Sequence, residues 1–162
     1  MEQKTQVHAQ AGQHDLLITR EFELPVELLF KAHEDPDIFE QWMTHEYGAT
    51  KIVRHEARDN GSWQFNTVDA QGNVLFSAKG VFHKFLPNKK IIRTFEMNSP
   101  EFDPQLEFLD FEKLSDDTSM LKMQIVFRTV AQRDILLKQP FAWGLNMAHN
   151  RLQDVLSKLN QS

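Results

Sequence analysis

"FAWGLNMAHNRLQDVLSKL", residues 141–159, is the last long apolar-patterned stretch of the chain. At ~100° per residue, Gly144, Leu145, Ala148, Leu152, Val155, Leu156 and Leu159 fall on one continuous stripe, which predicts a long amphipathic helix. Trp143 and Met147 do not join the stripe; they fall on nearly the opposite side, near Asp154. A helix that only lies on a core has no use for a tryptophan there, so what these two side chains touch bears on function.

Upstream, the pattern has period two. In "MLKMQIVFRT" (120–129), Leu121, Met123, Ile125 and Phe127 alternate with Lys122, Gln124, Val126 and Arg128. "SWQFNTV" (62–68) puts Trp63 and Phe65 on one face. In "VLFSAKGVFHKFL" (74–86), Phe76, Ala78, Gly80 and Phe82 oppose Lys79 and His83. "ATKIVRHEA" (49–57), "KIIRTFEM" (90–97) and "QLEFLDFEKL" (105–114) read as further strands, separated by the turn-rich "RDNG", "DAQGN", "PNK" and "SDDTS". Short connections of this kind predict an antiparallel sheet.

Before these strands, "DLLITREFEL" (15–24) reads as a first strand with Leu16, Ile18, Phe22 and Leu24 on one face. Two short helices follow. One starts near Pro25, with Val26, Leu29, Phe30 and His33 at helical spacing. The other is capped by Asp35, carries Pro36 in its first turn and delivers Trp42. "VAQRDILLKQ" (130–139) reads as a helix that Pro140 interrupts. A run of strands bracketed by helices predicts an α+β domain. Residues 1–14 are polar and read as a flexible tail; residues 15–162 read as one domain.

The composition narrows the function classes. A net charge of −5 gives no concentrated basic face for a phosphate backbone, so no nucleic-acid partner is expected. No apolar run reaches the ~18–20 residues of a membrane helix, and no membrane partner is expected. The chain has no cysteine, which excludes thiol chemistry and disulfides and fits a cytoplasmic location. "HED", "HEY" and "HEA" lack the second histidine of HExxH, so neither a metal nor a cofactor is expected. No GxSxG or GxxxxGK[ST] is present. "HEARD" (55–59) offers carboxylates and a histidine, but an acid–base role there would need a raised carboxylate pKa in a cleft.

Four stretches in order resemble the START-like (SRPBCC) superfamily, and within it the heat-shock-protein-90 ATPase activator homologue family. "REFELPVELLFKAHEDPDIFEQWM" is similar to its opening, and "NGSWQF" to its Gly-x-Trp strand. "KGVFHKFLPNKKIIRTFEM" is similar to its Gly-led strand, Pro turn and return strand, and "AQRDILLKQPFAWGLNMAHNRLQDVL" to its final helical segment. The resemblance spans about residues 16–159. It implies a helix-grip fold: a curved antiparallel sheet wrapped around a long C-terminal helix, often with an apolar cavity between them. It also implies that the start of the helix sits near the cavity mouth, where Trp143 and Met147 would line or lid the opening.

The candidate ligand-binding residues are then Trp42, Trp63, Phe65, Phe76, Phe82, Arg93, Phe95, Met123, Ile125, Phe127, Trp143 and Met147. The same aromatics would equally serve a filled core. In "KIIRTFEM", Arg93 shares a face with Ile91, Phe95 and Met97, and Glu96 shares the other with Ile92 and Thr94, so either orientation brings a charge inward. An inward Arg93 can hold a ligand carboxylate or phosphate; the alternatives are an ion pair with Asp110 or Glu112, or an exposed side chain. His149 borders the helix stripe and reads as a partly buried histidine with one hydrogen-bonded nitrogen.

The leading expectation is non-catalytic binding of a small apolar or amphipathic molecule. The alternatives are a protein-interaction module of the co-chaperone type, or one that self-associates, and a cyclase- or hydrolase-type enzyme with a charged pair in its pocket. The family resemblance carries a stress-response association with it.

Overall fold

In the computed structural model, residues 3–161 are described. Eight strands form one antiparallel sheet: β1 (Gln6–His8), β2 (Asp15–Phe22), β3 (Ala49–His55), β4 (Ser62–Val68), β5 (Val74–Leu86), β6 (Lys90–Met97), β7 (Gln105–Lys113) and β8 (Ser119–Val126). Their spatial order is β1-β2-β8-β7-β6-β5-β4-β3. From β3 to β8 each strand pairs with the next in the chain. The first long strand, β2, closes on the last, β8, with Ile18 opposite Met123.

Four helices complete the fold: α1 (Val26–Glu34), α2 (Pro36–Met43), α3 (Val130–Leu137) and α4 (Phe141–Asn160). Asp35 starts α2 as expected, its carboxylate accepting from the backbone N–H of Asp37 at 2.9 Å. Pro25 sits one position before α1 rather than inside it. Thr129 caps α3 by accepting from Gln132 N–H at 3.1 Å. The long C-terminal helix lies on the curled sheet, and its stripe buries Ala148, His149, Leu152 and Leu156. This is the helix-grip arrangement, with the two short helices after β2. The stripe ends earlier than expected: Leu159 is exposed.

Alternation sets the inner face. Leu16, Ile18 and Phe22 of β2, Trp63 and Phe65 of β4, and Leu121, Met123 and Ile125 of β8 are all buried. Three register shifts, at Ile52/Arg54, Thr67/Val68 and Phe82/Lys84, bend the β3–β6 half of the sheet. The last shift also resets the parity of β5, so both Phe82 and Phe85 turn inward.

Residues 6–8 lie within the segment read as a flexible tail, yet they pair with β2, with Val7 opposite Ile18. The segment is anchored: Thr5 N–H donates to Asn146 Oδ1 at 2.9 Å, and the Thr5 hydroxyl meets His149 Nδ1 at 2.6 Å. Polar composition hid this strand: it is three residues long, and the bonds to α4 come from the polar Thr5 just before it. Met1 and Glu2, also in that segment, and Ser162 lie outside the described residues. No described helix is long and apolar enough to cross a membrane.

Candidate functional site

The sheet and the helices above it do not close completely. A cavity of about 330 Å³ lies between β3–β8 on one side and α1, α2 and the first turns of α4 on the other. Of the residues expected at a ligand site, Trp42, Trp63, Phe65, Phe76, Phe82, Arg93, Phe95, Met123 and Ile125 line it. The aromatic wall is contiguous: Trp63 stacks on Phe65 with ring centroids 5.9 Å apart and meets Phe95 at 5.1 Å, and Phe65 meets Phe39 at 5.5 Å. Trp42 joins Phe39 edge-on at 5.2 Å while its indole N–H donates to Ala32 O at 2.8 Å.

Gly80 seats this wall rather than leaving space in it. It sits opposite Trp63 in the β4–β5 register. A Cβ on Gly80 would lie 1.9 Å from Thr94 O and 2.8 Å from Trp63 Cε2. The glycine therefore lets the indole and the β6 backbone close over it.

One polar cluster interrupts the apolar lining. Arg93 faces inward, and its partner is neither Asp110 nor Glu112. Those two pair with Lys90 and Lys122 at the surface. Register places Glu107 opposite Arg93, and Arg93 Nε donates to Glu107 Oε1 at 2.8 Å. Gln105 Nε2 donates to the other carboxylate oxygen, Oε2, at 2.7 Å. The Arg93 guanidinium carbon lies 5.5 Å from the Trp63 ring centroid and 5.8 Å from that of Phe95, a cation–π arrangement. Trp63 Nε1 and Gln105 Oε1 are buried without a hydrogen-bond partner among the described residues. Glu96 points away, into a shallow groove with Ser77 and Asn98.

Three histidines also line the cavity, and burial keeps them neutral. Burial lowers His33 to about 4, and its Nδ1–H donates to Leu29 O at 3.0 Å. Burial, with His33 and Arg20 nearby, lowers His149 to about 3. His55 is lowered by burial as well, and its Nε2–H donates to Glu34 O at 2.9 Å. His149 thus has the one hydrogen-bonded nitrogen expected of it, but is fully rather than partly buried.

Three expected residues lie elsewhere. Phe127 is buried in the core and does not reach the cavity. Trp143 and Met147 line a separate surface depression with His45, Tyr47 and Arg151. At about 640 Å³ that depression is larger than the cavity, but its walls are open: Trp143 is 65% and Tyr47 74% exposed. The mouth-side helix residues of the cavity are instead Phe141 and Leu145, which share a face with His149. The family geometry put the right end of α4 at the cavity but the wrong face.

Glu56 of the "HEARD" segment lacks the raised carboxyl pKa that an acid–base role would need. Glu56 accepts from the Ser62 hydroxyl at 2.6 Å and from its backbone N–H at 3.0 Å, and these bonds hold its carboxyl below the usual range. Among the described residues there is no group of three or more His, Asp or Glu placed to hold a metal ion.

The family described as "Activator of Hsp90 ATPase homolog 1-like protein" matches residues 23–157. No curated protein matches the chain. Among solved structures, a Rhodobacter sphaeroides protein is similar at 17% identity and a TM-score of 0.86, over 96% of this chain and 99% of that one. A Mycobacterium smegmatis protein is similar at 16% identity and a TM-score of 0.82, also over 96% and 99%. A solution structure from Arthrobacter aurescens is similar at 16% identity and a TM-score of 0.83, over 94% and 91%. At these identities the likeness is one of fold alone.

Proposed function

We propose that this chain, which belongs to the activator of Hsp90 ATPase homolog 1-like family, binds a small apolar or amphipathic molecule between its sheet and C-terminal helix without transforming it. The observation that carries this reading is the aromatic-walled cavity of about 330 Å³ with one polar cluster in its lining. Binding sites for small molecules have this character: concave, mostly apolar, with a few placed polar groups. A dry apolar cavity of ~150 Å³ already accepts benzene, so this one has room for a fused-ring molecule.

An enzyme would use the charged pair in the cavity. Both oxygens of Glu107 are already engaged, by Arg93 and by Gln105. These two bonds fix the carboxylate in the β6–β7 wall, which favours a positioning role.

The test is intrinsic fluorescence of a Trp143→Phe variant, which retains only Trp42 and Trp63, both at the cavity. Titration with a panel of sterols, fatty acids and fused aromatics is expected to give a saturable change with at least one. No response to any of them would count against the reading.

A second reading, a protein-interaction module of the co-chaperone or self-associating kind, is supported by the exposed Tyr47–Trp143 surface. Stimulation of an Hsp90-type ATPase, or a dimer in sedimentation that Trp143→Ser abolishes, would favour it. Absence of both at excess protein would dismiss it.

A further inference from the structure

The polar cluster narrows the ligand. Trp63 Nε1 is a donor only, and Gln105 Oε1 an acceptor only. Trp63 and Gln105 are each 4% exposed, and both line the cavity. The orientation of the Gln105 amide is fixed by chemistry: Nε2 must face the Glu107 carboxylate, to which it donates at 2.7 Å, so Oε1 is the end left over. The two orphaned atoms belong to side chains that flank Phe95. Phe95 sits opposite Gln105 in the β6–β7 register and packs against Trp63 at 5.1 Å. Buried polar atoms of this kind cost stability unless something satisfies them.

Charge balance decides what that something is. The full charges in the cavity lining are Arg93 and Glu107, which pair at 2.8 Å, and Arg54, which is exposed and donates to Gln64. The buried histidines beside them are neutral. A ligand carboxylate or phosphate reaching the Nη groups of Arg93 would be buried next to the Glu107 carboxylate, a second anion. The Nε of Arg93 is already taken by a protein carboxylate, which argues for a neutral ligand over an anionic one.

Resting on the small-molecule reading above, we propose that the cognate ligand is neutral and carries a hydroxyl on an apolar ring body. The hydroxyl oxygen accepts from Trp63 Nε1 and its hydrogen is donated to Gln105 Oε1. A phenol or an alicyclic alcohol meets both requirements; a hydrocarbon meets neither, and a carboxylate cannot donate.

The test is calorimetric titration of the full chain with naphthalene, 2-naphthol and 2-naphthoate near pH 7, where the naphthol is neutral. The expected order is naphthol tightest, by about tenfold or more over both others. In Trp63→Phe and in Gln105→Met the naphthol advantage should shrink toward unity while naphthalene still binds. Retained naphthalene binding also shows that each variant is folded. If naphthalene binds as tightly as naphthol, the hydroxyl assignment is overturned and the cavity reading survives. If naphthoate binds tightest, Arg93 is the anion site after all. If none of the three binds, the small-molecule reading itself fails and takes this proposal with it.

Discussion

Arg93 and Glu107 face each other across β6 and β7, and their side chains meet at 2.8 Å in the wall of the cavity. Glu107 is 4% exposed at its side chain, so the pair lives largely outside water. A buried ion pair adds little over an apolar pair of similar volume, but removing one partner strands the other. Glu107→Leu alone should therefore destabilise the protein by about 3 kcal/mol or more. Arg93→Met combined with Glu107→Leu should recover much of that loss. Urea denaturation of the single and double variants checks this; a double variant as weak as the sum of its parts would contradict it.

Acid should weaken the fold before the carboxylates titrate. His33 at about 4 and His149 at about 3 both lie below the ordinary histidine value of 6.5. The unfolded chain therefore binds more protons than the folded one below pH 6.5, and stability falls as pH falls. The contribution is fully present above pH 6.5 and is lost progressively down to about pH 4 and then 3. The loss is up to ~3 kcal/mol for His33 and ~5 kcal/mol for His149. Stability measured between pH 7 and 4.5 should fall steeply, and less steeply in His33→Gln and His149→Gln. A flat profile over that window would show that water reaches both rings.

Two glycines should respond in opposite directions. Gly80→Ala forces a Cβ to 1.9 Å from Thr94 O, which is backbone and has no easy escape. Destabilisation of ~2 kcal/mol or more is expected, with a red shift as Trp63 loses its seat. Gly144, inside α4, has nothing within 4 Å of the same position. Gly144→Ala should stabilise the protein by roughly 0.5–1 kcal/mol. Thermal melts of both variants decide; a neutral Gly80→Ala would mean that β5 and β6 are looser than described.

The N-terminal strand should be held by one hydroxyl more than by its own propensity. Thr5 Oγ1 meets His149 Nδ1 at 2.6 Å and accepts from Arg20 Nη1 at 3.4 Å. Thr5→Val keeps the shape and removes the hydroxyl. It should cost about 1 kcal/mol, or ~2–4 °C in Tm for a domain of this size. Hydrogen exchange at Gln6–His8 should rise with it. Unchanged exchange would place the anchor in the backbone bond from Thr5 to Asn146 instead.

Period-two patterning and turn chemistry recover β2 to β8 to within three residues at their ends. They do not recover β1, three residues that pair with β2 next to a polar anchor at Thr5. They miss Phe85, because a register shift in β5 changes which parity faces inward. Gln105 and Glu107 had a signal: they share a parity with Leu109 and Phe111. The opposite parity opens with Leu106 and Phe108, so both faces look apolar and the polar pair is not singled out. The partner of Arg93 depends on β6–β7 register, which no local pattern encodes. Trp143 and Met147 were placed correctly off the buried stripe, but the resemblance turned them toward the cavity. The helix is rotated so that Phe141, Leu145 and His149 take that position.

The methionines give the most direct measurement of whether the cavity is the binding site. Met43, Met97 and Met123 line it, whereas Met147 lies in the separate surface depression and Met120 in neither. Methyl NMR of the methyl-labelled protein during titration with 2-naphthol should move the Met43, Met97 and Met123 resonances together, saturably, and leave Met120 and Met147 in place. Shifts confined to Met147 would contradict the account and assign binding to the surface beside Trp143.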